Sequence, residues 1–132
     1  MLAGTLRMEV PDRRDVVALG RIPESEKYAA LAAADALVLP SRFESLGIVL
    51  LESWQVGTPV LVRADNPVTV GQVARSGGGL AYRDADGFGD AMGRVMASRE
   101  ALGVAGRTWV ERESSWEAFD ARLAQLVALT AP

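Results

Sequence analysis

The sequence predicts an α/β domain in which helices cover the faces of a parallel β-sheet. Three observations carry that expectation. Short apolar runs alternate along the chain with longer segments of helical period, the signature of strand–helix–strand units. Glycine and proline punctuate the alternation at Gly20, at Gly57-Thr58-Pro59 and at Gly77-Gly78-Gly79. The chain has 132 residues, 49% of them hydrophobic, so a single domain can bury a core without disulfide or metal staples.

In chain order, residues 2–10 hold a first predicted strand, residues 11–15 a charged turn, and residues 16–19 a second short strand that Gly20 ends. The segment PESEKYAALAAAD places Pro23 near a first helical turn and acids at its start, with Tyr28, Leu31 and Ala32 on one stripe. It predicts a helix ending near Ala34. Residues 36–39 follow as a buried strand. The run Ile48-Val49-Leu50-Leu51 has strand-like composition, but its length and flanks predict a helix over 45–56, with Ser45 as cap and Gly57 as stop. Thr58-Pro59 turns into a strand over 60–62. A short helix is predicted over 68–75, and the three glycines return the chain into a strand over 80–82. Residues 85–97 and 99–113 read as helices, and Ser114 with Glu117 forms a capping box opening a last amphipathic helix to Thr130. Trp116, Phe119, Leu123, Leu126 and Val127 make the apolar face of that helix. No internal repeat, low-complexity tract or interdomain linker interrupts residues 1–132, which read as one domain.

Composition excludes several chemistries. With no cysteine and no histidine, thiol nucleophiles, Ser/His triads, imidazole relays and the common zinc sites are unavailable, leaving carboxylates, arginines and backbone dipoles. A net charge of −3, a pI near 5.0 and scattered cations, thirteen arginines and the single Lys27, argue against a nucleic-acid partner. No apolar run approaches the ~20 residues that cross a bilayer, and the first residues show no basic region leading into an apolar stretch. No transmembrane segment is expected, and a cytoplasmic location is.

The chemistry-bearing segment is PSRFESLGIVLLE, residues 40–52, placed directly after a predicted buried strand and followed by Gly57-Thr58-Pro59. A helix opening near Ser45 has unpaired amides and a positive dipole end in its first turn, so Ser45, Leu46, Gly47 and Ile48 are suited to hold a diphosphate. Gly47 permits close approach. At ~1.5 Å rise per residue, the Glu44 and Glu52 backbones stand roughly 10 Å apart with that helix start beside or between them. Such a spacing suits an extended ligand with hydroxyls at both ends and a doubly charged middle. An isolated pair of glutamates is ordinarily solvated surface, and it is the complete string that favours a site.

This string, with two glutamates separated by seven residues, resembles the donor site of glycosyltransferase family four, enzymes of the GT-B type with two Rossmann-like domains. The similarity runs through nearly the whole chain, while the specific part is residues 44–59. The resemblance implies the C-terminal, nucleotide-sugar-binding half of such a fold, lacking its first strands. It implies Glu44 as the catalytic residue, at the transferred sugar, Glu52 at the ribose hydroxyls, and retaining transfer without a metal or other cofactor. Gly20-Arg21-Ile22 resembles the position flanking the nucleotide base, so Arg21 and Ile22 are base-binding candidates; an ordinary strand-to-helix turn accounts for them equally well. Arg42 is either a phosphate contact or an exposed arginine. The Gly77 to Gly79 run lacks the Lys-Ser/Thr of a phosphate loop and reads as structural, and Trp54 and Trp116 read as packing residues.

The family pattern also contains a Gly-Arg and a Lys-Gly segment ahead of this region, whose basic side chains bind the diphosphate, and a separate N-terminal acceptor domain. This sequence has a counterpart of neither. The expectation is therefore that the chain alone binds donor weakly and transfers nothing, and that an uncovered sheet edge drives self-association. Two other classes compete with a transferase: a nucleotide-sugar-binding module or subunit completed by another chain, and an interaction module that keeps the fold without the ligand.

Overall fold

The structure, a computed structural model, describes residues 1–130. Its centre is a three-stranded parallel sheet of β3 (Leu37–Leu39), β4 (Val60–Arg63) and β5 (Gly79–Tyr82), in the order β3-β4-β5. Leu37 pairs with Val60 and Val60 with Gly79, so the three strands run in step. Because side chains alternate across a strand, Val60 and Val62 point to one face and Leu61 to the other. Val60 and Val62 pack with Leu50, Trp54, Val73 and Val110, whereas Leu61 packs with Tyr82, Ala91 and Val95. Both faces of β4 are therefore buried, as an uninterrupted apolar run in a parallel sheet requires.

Helices α2 (Ile48–Gln55) and α3 (Pro67–Ser76) are the crossovers from β3 to β4 and from β4 to β5, and they cover the Trp54 face with part of α5 (Arg99–Glu113). Helix α4 (Ala85–Ala97) covers the opposite face. Strands β1 (Leu2–Ala3) and β2 (Ala18–Gly20) form a separate parallel pair, joined to β3 through α1 (Glu24–Ala33), and α6 (Trp116–Thr130) closes the described chain. The predicted Rossmann-like α/β architecture is present. No helix among the described residues is long and apolar enough to cross a membrane.

Several local expectations are corrected. The first strand occupies only Leu2–Ala3, and the second is shifted to Ala18–Gly20 because Val16 donates to the Arg13 carbonyl (3.1 Å) and belongs to the charged turn. Pro23 does stand next to the first turn of α1, as its N-cap. Helix α3 starts at Pro67, one residue before the expected start, since Asn66 caps it by accepting from the amides of Val68 (3.1 Å) and Thr69 (3.2 Å). The Ser114–Glu117 capping box does not form. Ser114 is used up as the C-cap of α5, and Ser115 accepts from the Ala118 amide at 3.1 Å instead.

Trp54 is a packing residue as expected: it is 0% exposed, donates its indole N–H to the Gly78 carbonyl at 2.8 Å, and meets Trp109 edge-on. Trp116 departs from that reading. It is 78% exposed and touches Phe119 edge-on at 5.8 Å, on a face of α6 whose large apolar residues are all exposed. The glycine run is structural. Gly77 caps α3 in a left-handed conformation, and a Cβ on Gly78 would overlap the Trp54 indole.

Candidate functional site

The segment 40–47 leaves the C-terminal end of β3 and enters α2, the edge of a parallel sheet where ligands of such folds bind. Its shape is fixed from the neighbouring crossover. The Asn66 side chain, while capping α3, donates through Nδ2 to the Ser41 carbonyl at 3.3 Å. Ser41 Oγ donates to the Phe43 carbonyl at 3.2 Å, and Gln72 Nε2 donates to the Leu46 carbonyl. Arg42 pairs with Asp65 at 3.5 Å, and Arg63 holds the same carboxylate at 2.6 Å. Arg42 is thus an exposed arginine tied to an acid of the β4–α3 loop.

The helix does not begin at Ser45. Ser45 and Leu46 lie in a bend, and Gly47, in the left-handed region at φ 67° and ψ 52°, is the N-cap of α2 with no side-chain cap. The reason is conformational: only at a glycine can the chain make this reversal without strain, so the helix starts after it whatever the capping preference of Ser45. Of the four residues expected to hold a diphosphate, Ile48 is the first helical residue, Gly47 its cap, and Ser45 and Leu46 precede the helix. The opening turn is accessible at Ile48, which is 60% exposed with Ser45 and Leu46 exposed beside it, whereas Gly47, expected to admit a close approach, is itself buried beside Leu50 and Thr69.

Glu44 is half-buried just ahead of this turn, and among the described residues its carboxylate has no hydrogen bond or ion pair. Glu52 stands one helical turn beyond Ile48 and so on the same side of α2, away from the buried stripe of Leu50, Ser53 and Trp54. Its side chain is only 16% exposed and accepts from Lys27 Nζ at 2.6 Å. Lys27 also donates to Glu24 at 2.7 Å, and Glu24, then Glu52, hold its ammonium above the ordinary lysine value against the cost of desolvation. Arg21, exposed, and Ile22, half-buried, sit in the turn from β2 into α1, the helix that carries Lys27. Glu44 thus precedes the opening of α2, and Glu52 follows it by one helical turn. Two open concavities, about 610 and 670 Å³, lie elsewhere, around the α4–α5 junction, and neither includes Glu44 or Glu52.

Sequence reasoning overlooked Asn66, Gln72 and Lys27. Asn66 carried a readable signal, an N-cap residue directly before a proline. Gln72 and Lys27 gave none, because their partners, Leu46 and Glu52, are distant in sequence and only the packing of α3 and α1 brings them close.

Comparison with known proteins agrees with this architecture. Residues 12–107 match the family model described as glycosyl transferases group 1. The chain is 31% identical, over 93% of its length, to a GDP-mannose-dependent monoacylated alpha-(1-6)-phosphatidylinositol monomannoside mannosyltransferase of Corynebacterium glutamicum, of which the match covers 35%. It is 32% identical, over 82% of its length, to the GDP-mannose-dependent alpha-(1-6)-phosphatidylinositol monomannoside mannosyltransferase of Mycobacterium tuberculosis, covering 31% of that protein. Among solved structures, sucrose-phosphate synthase from Thermosynechococcus elongatus superposes with a TM-score of 0.71 at 29% identity, over 86% of this chain and 29% of that one. The chain therefore spans about a third of the length of these relatives. With its matched region containing both glutamates and the strands and helices that carry them, the chain belongs to the group 1 glycosyltransferases.

Proposed function

We propose that this chain is the donor-binding domain of a cytoplasmic, retaining glycosyltransferase that takes a sugar from a nucleotide sugar to an acceptor. The observation that carries the proposal is the opening of α2, where Ile48 is 60% exposed behind the buried Gly47 cap, with Glu44 ahead of it and Glu52 one turn beyond. In this reading the diphosphate lies against the first-turn amides, Glu44 contacts the transferred sugar and Glu52 accepts from the ribose hydroxyls. Ser45 and Leu46 line the approach from the loop, and Arg21 and Ile22 flank the base. As the sugar–phosphate bond breaks, negative charge grows on the departing diphosphate. Preorganised donors aimed at such charge are typically worth about 3 kcal/mol each, and they need no metal.

Two relatives are GDP-mannose-dependent by name, which makes GDP-mannose the donor to test first. The acceptor-binding half and the basic groups for the diphosphate would come from further sequence or from a second chain, and without them binding is weak and transfer absent.

Calorimetry with GDP-, UDP- and ADP-sugars on the wild-type chain and on Glu52→Ala tests the reading. One donor should bind and the substitution should weaken it by roughly tenfold to a hundredfold, the range for hydrogen bonds to a charged group. Equal affinity for wild type and variant would overturn the ribose assignment. No binding by any donor would overturn the donor-site reading.

A further inference from the structure

We infer that Lys27 is a positioning residue for the nucleotide's ribose, holding the Glu52 carboxylate in the orientation that accepts the ribose hydroxyls. The inference rests on the donor-site reading of Glu52. Lys27 is the single lysine of the sequence, and its ammonium reaches from α1 across to α2, two helices that meet beside the candidate site.

The geometry favours a fixed anchor over a swinging cation. The Lys27 ammonium donates to Glu52 Oε1 at 2.6 Å and to Glu24 Oε1 at 2.7 Å, and lies 5.2 Å from the centre of the Tyr28 ring. Its side chain is 26% exposed and that of Glu52 16%, so both partners of the bond are held by their surroundings. A lysine has three donors, and two acids plus a ring face occupy its reach. Only Oε1 of Glu52 is engaged, which leaves Oε2 and the second lone pair of Oε1 to accept from a vicinal diol.

Charge supports the same role. Without the ammonium, Glu24, 74% exposed, would turn to solvent, and Glu52 would be left a part-buried, unneutralised carboxylate with no donor to fix its orientation. It would also repel the diphosphate of the same ligand. Lys27 lets Glu52 stand near an anionic ligand and still present acceptors to its sugar.

The test compares nucleoside diphosphates with their 2′,3′-dideoxy forms, using GDP, UDP and ADP, on the full chain. The readout is the affinity ratio of ribo to dideoxy nucleotide, because a general loss of structure lowers both affinities and leaves the ratio unchanged. Wild type should prefer the ribonucleotide by roughly tenfold to a hundredfold. Glu52→Ala and Lys27→Met should both bring the ratio close to one, while Lys27→Arg keeps most of it. If Lys27→Met does not fold by circular dichroism, Lys27→Gln serves in its place. A Lys27→Met or Lys27→Gln protein that keeps the wild-type ratio overturns the inference and leaves the ribose assignment intact. A wild type that binds but shows no ribo preference overturns the ribose assignment, and the inference with it. No binding of any of the three nucleotides overturns the donor-site reading from which both follow.

Discussion

Gly47 shows how one residue decides where a site begins. At φ 67° it occupies a conformation that costs most L residues about 1–2 kcal/mol, and a Cβ there would sit 3.3 Å from Leu50 Cδ1 and 3.4 Å from Thr69 Cγ2. Gly47→Ala is therefore expected to destabilise the fold by about 1–2 kcal/mol, measured by denaturant unfolding, with the helix start frayed or displaced. A variant as stable as wild type would show that the left-handed cap is not required. Sequence reasoning identified Gly47 as important but for approach of a phosphate, and placed the cap at Ser45. Residue type alone cannot separate these reasons, since capping preference at Ser45 and conformational need at Gly47 both favour a helix start within the same few positions. Glu52 is the converse case. Its place on the helix was legible from the spacing to Glu44, but its ion pair with Lys27 depends on how α1 packs on α2 and is not encoded in any local pattern.

At the scale of elements, the central sheet was the most legible part of the molecule. The strands over 37–39, 60–63 and 79–82 are short apolar runs bounded by turn residues, and in the central strand β4 burial of Val60, Leu61 and Val62 on both faces leaves no polar alternation to confuse it. Helix α2 was legible as a helix because Gly57 and Pro59 punctuate its end. What packs α2 against α5 was not legible, because it depends on the absence of side chains. Gly103 lies against the Gly57 carbonyl, and Gly106 lies against the Trp54 ring so closely that a Cβ on either would overlap these atoms. Within a helix, replacing glycine by alanine ordinarily gains about 1 kcal/mol. Here the gain should be reversed. Gly106→Ala must displace Trp54, whose indole is fully buried and bonded to Gly78, and overpacking of this kind costs typically 1–3 kcal/mol. Thermal unfolding of Gly106→Ala should show a lower midpoint; an unchanged or higher one would mean that α5 and α2 separate readily.

At the scale of the whole molecule, the edges of the central sheet and one helix face remain uncovered among the described residues. Strands β3 and β5 are each hydrogen-bonded to β4 on one side only, and β1 and β2 pair with each other rather than extending the central sheet. A parallel sheet with an open edge presents unpaired amides and carbonyls to any other strand of suitable length. The apolar face of α6, with Phe119 and Leu123 exposed as well as Trp116, adds a second adhesive surface that sequence periodicity located correctly without indicating whether anything covers it. These two features differ in what would relieve them. Association through the β3 edge uses backbone groups and is insensitive to a charge on α6, whereas association through α6 is abolished by Leu123→Glu. The edge is expected to dominate, because hydrogen-bonded strand pairing is directional and Leu37, Val38 and Leu39 are already half-shielded by their own core. Multi-angle light scattering of the isolated chain at high concentration should give a mass above 14.0 kDa, and Leu123→Glu should leave that mass unchanged. A clean monomer would overturn the prediction of self-association, and a monomer produced only by Leu123→Glu would move the contact from the sheet edge to the helix.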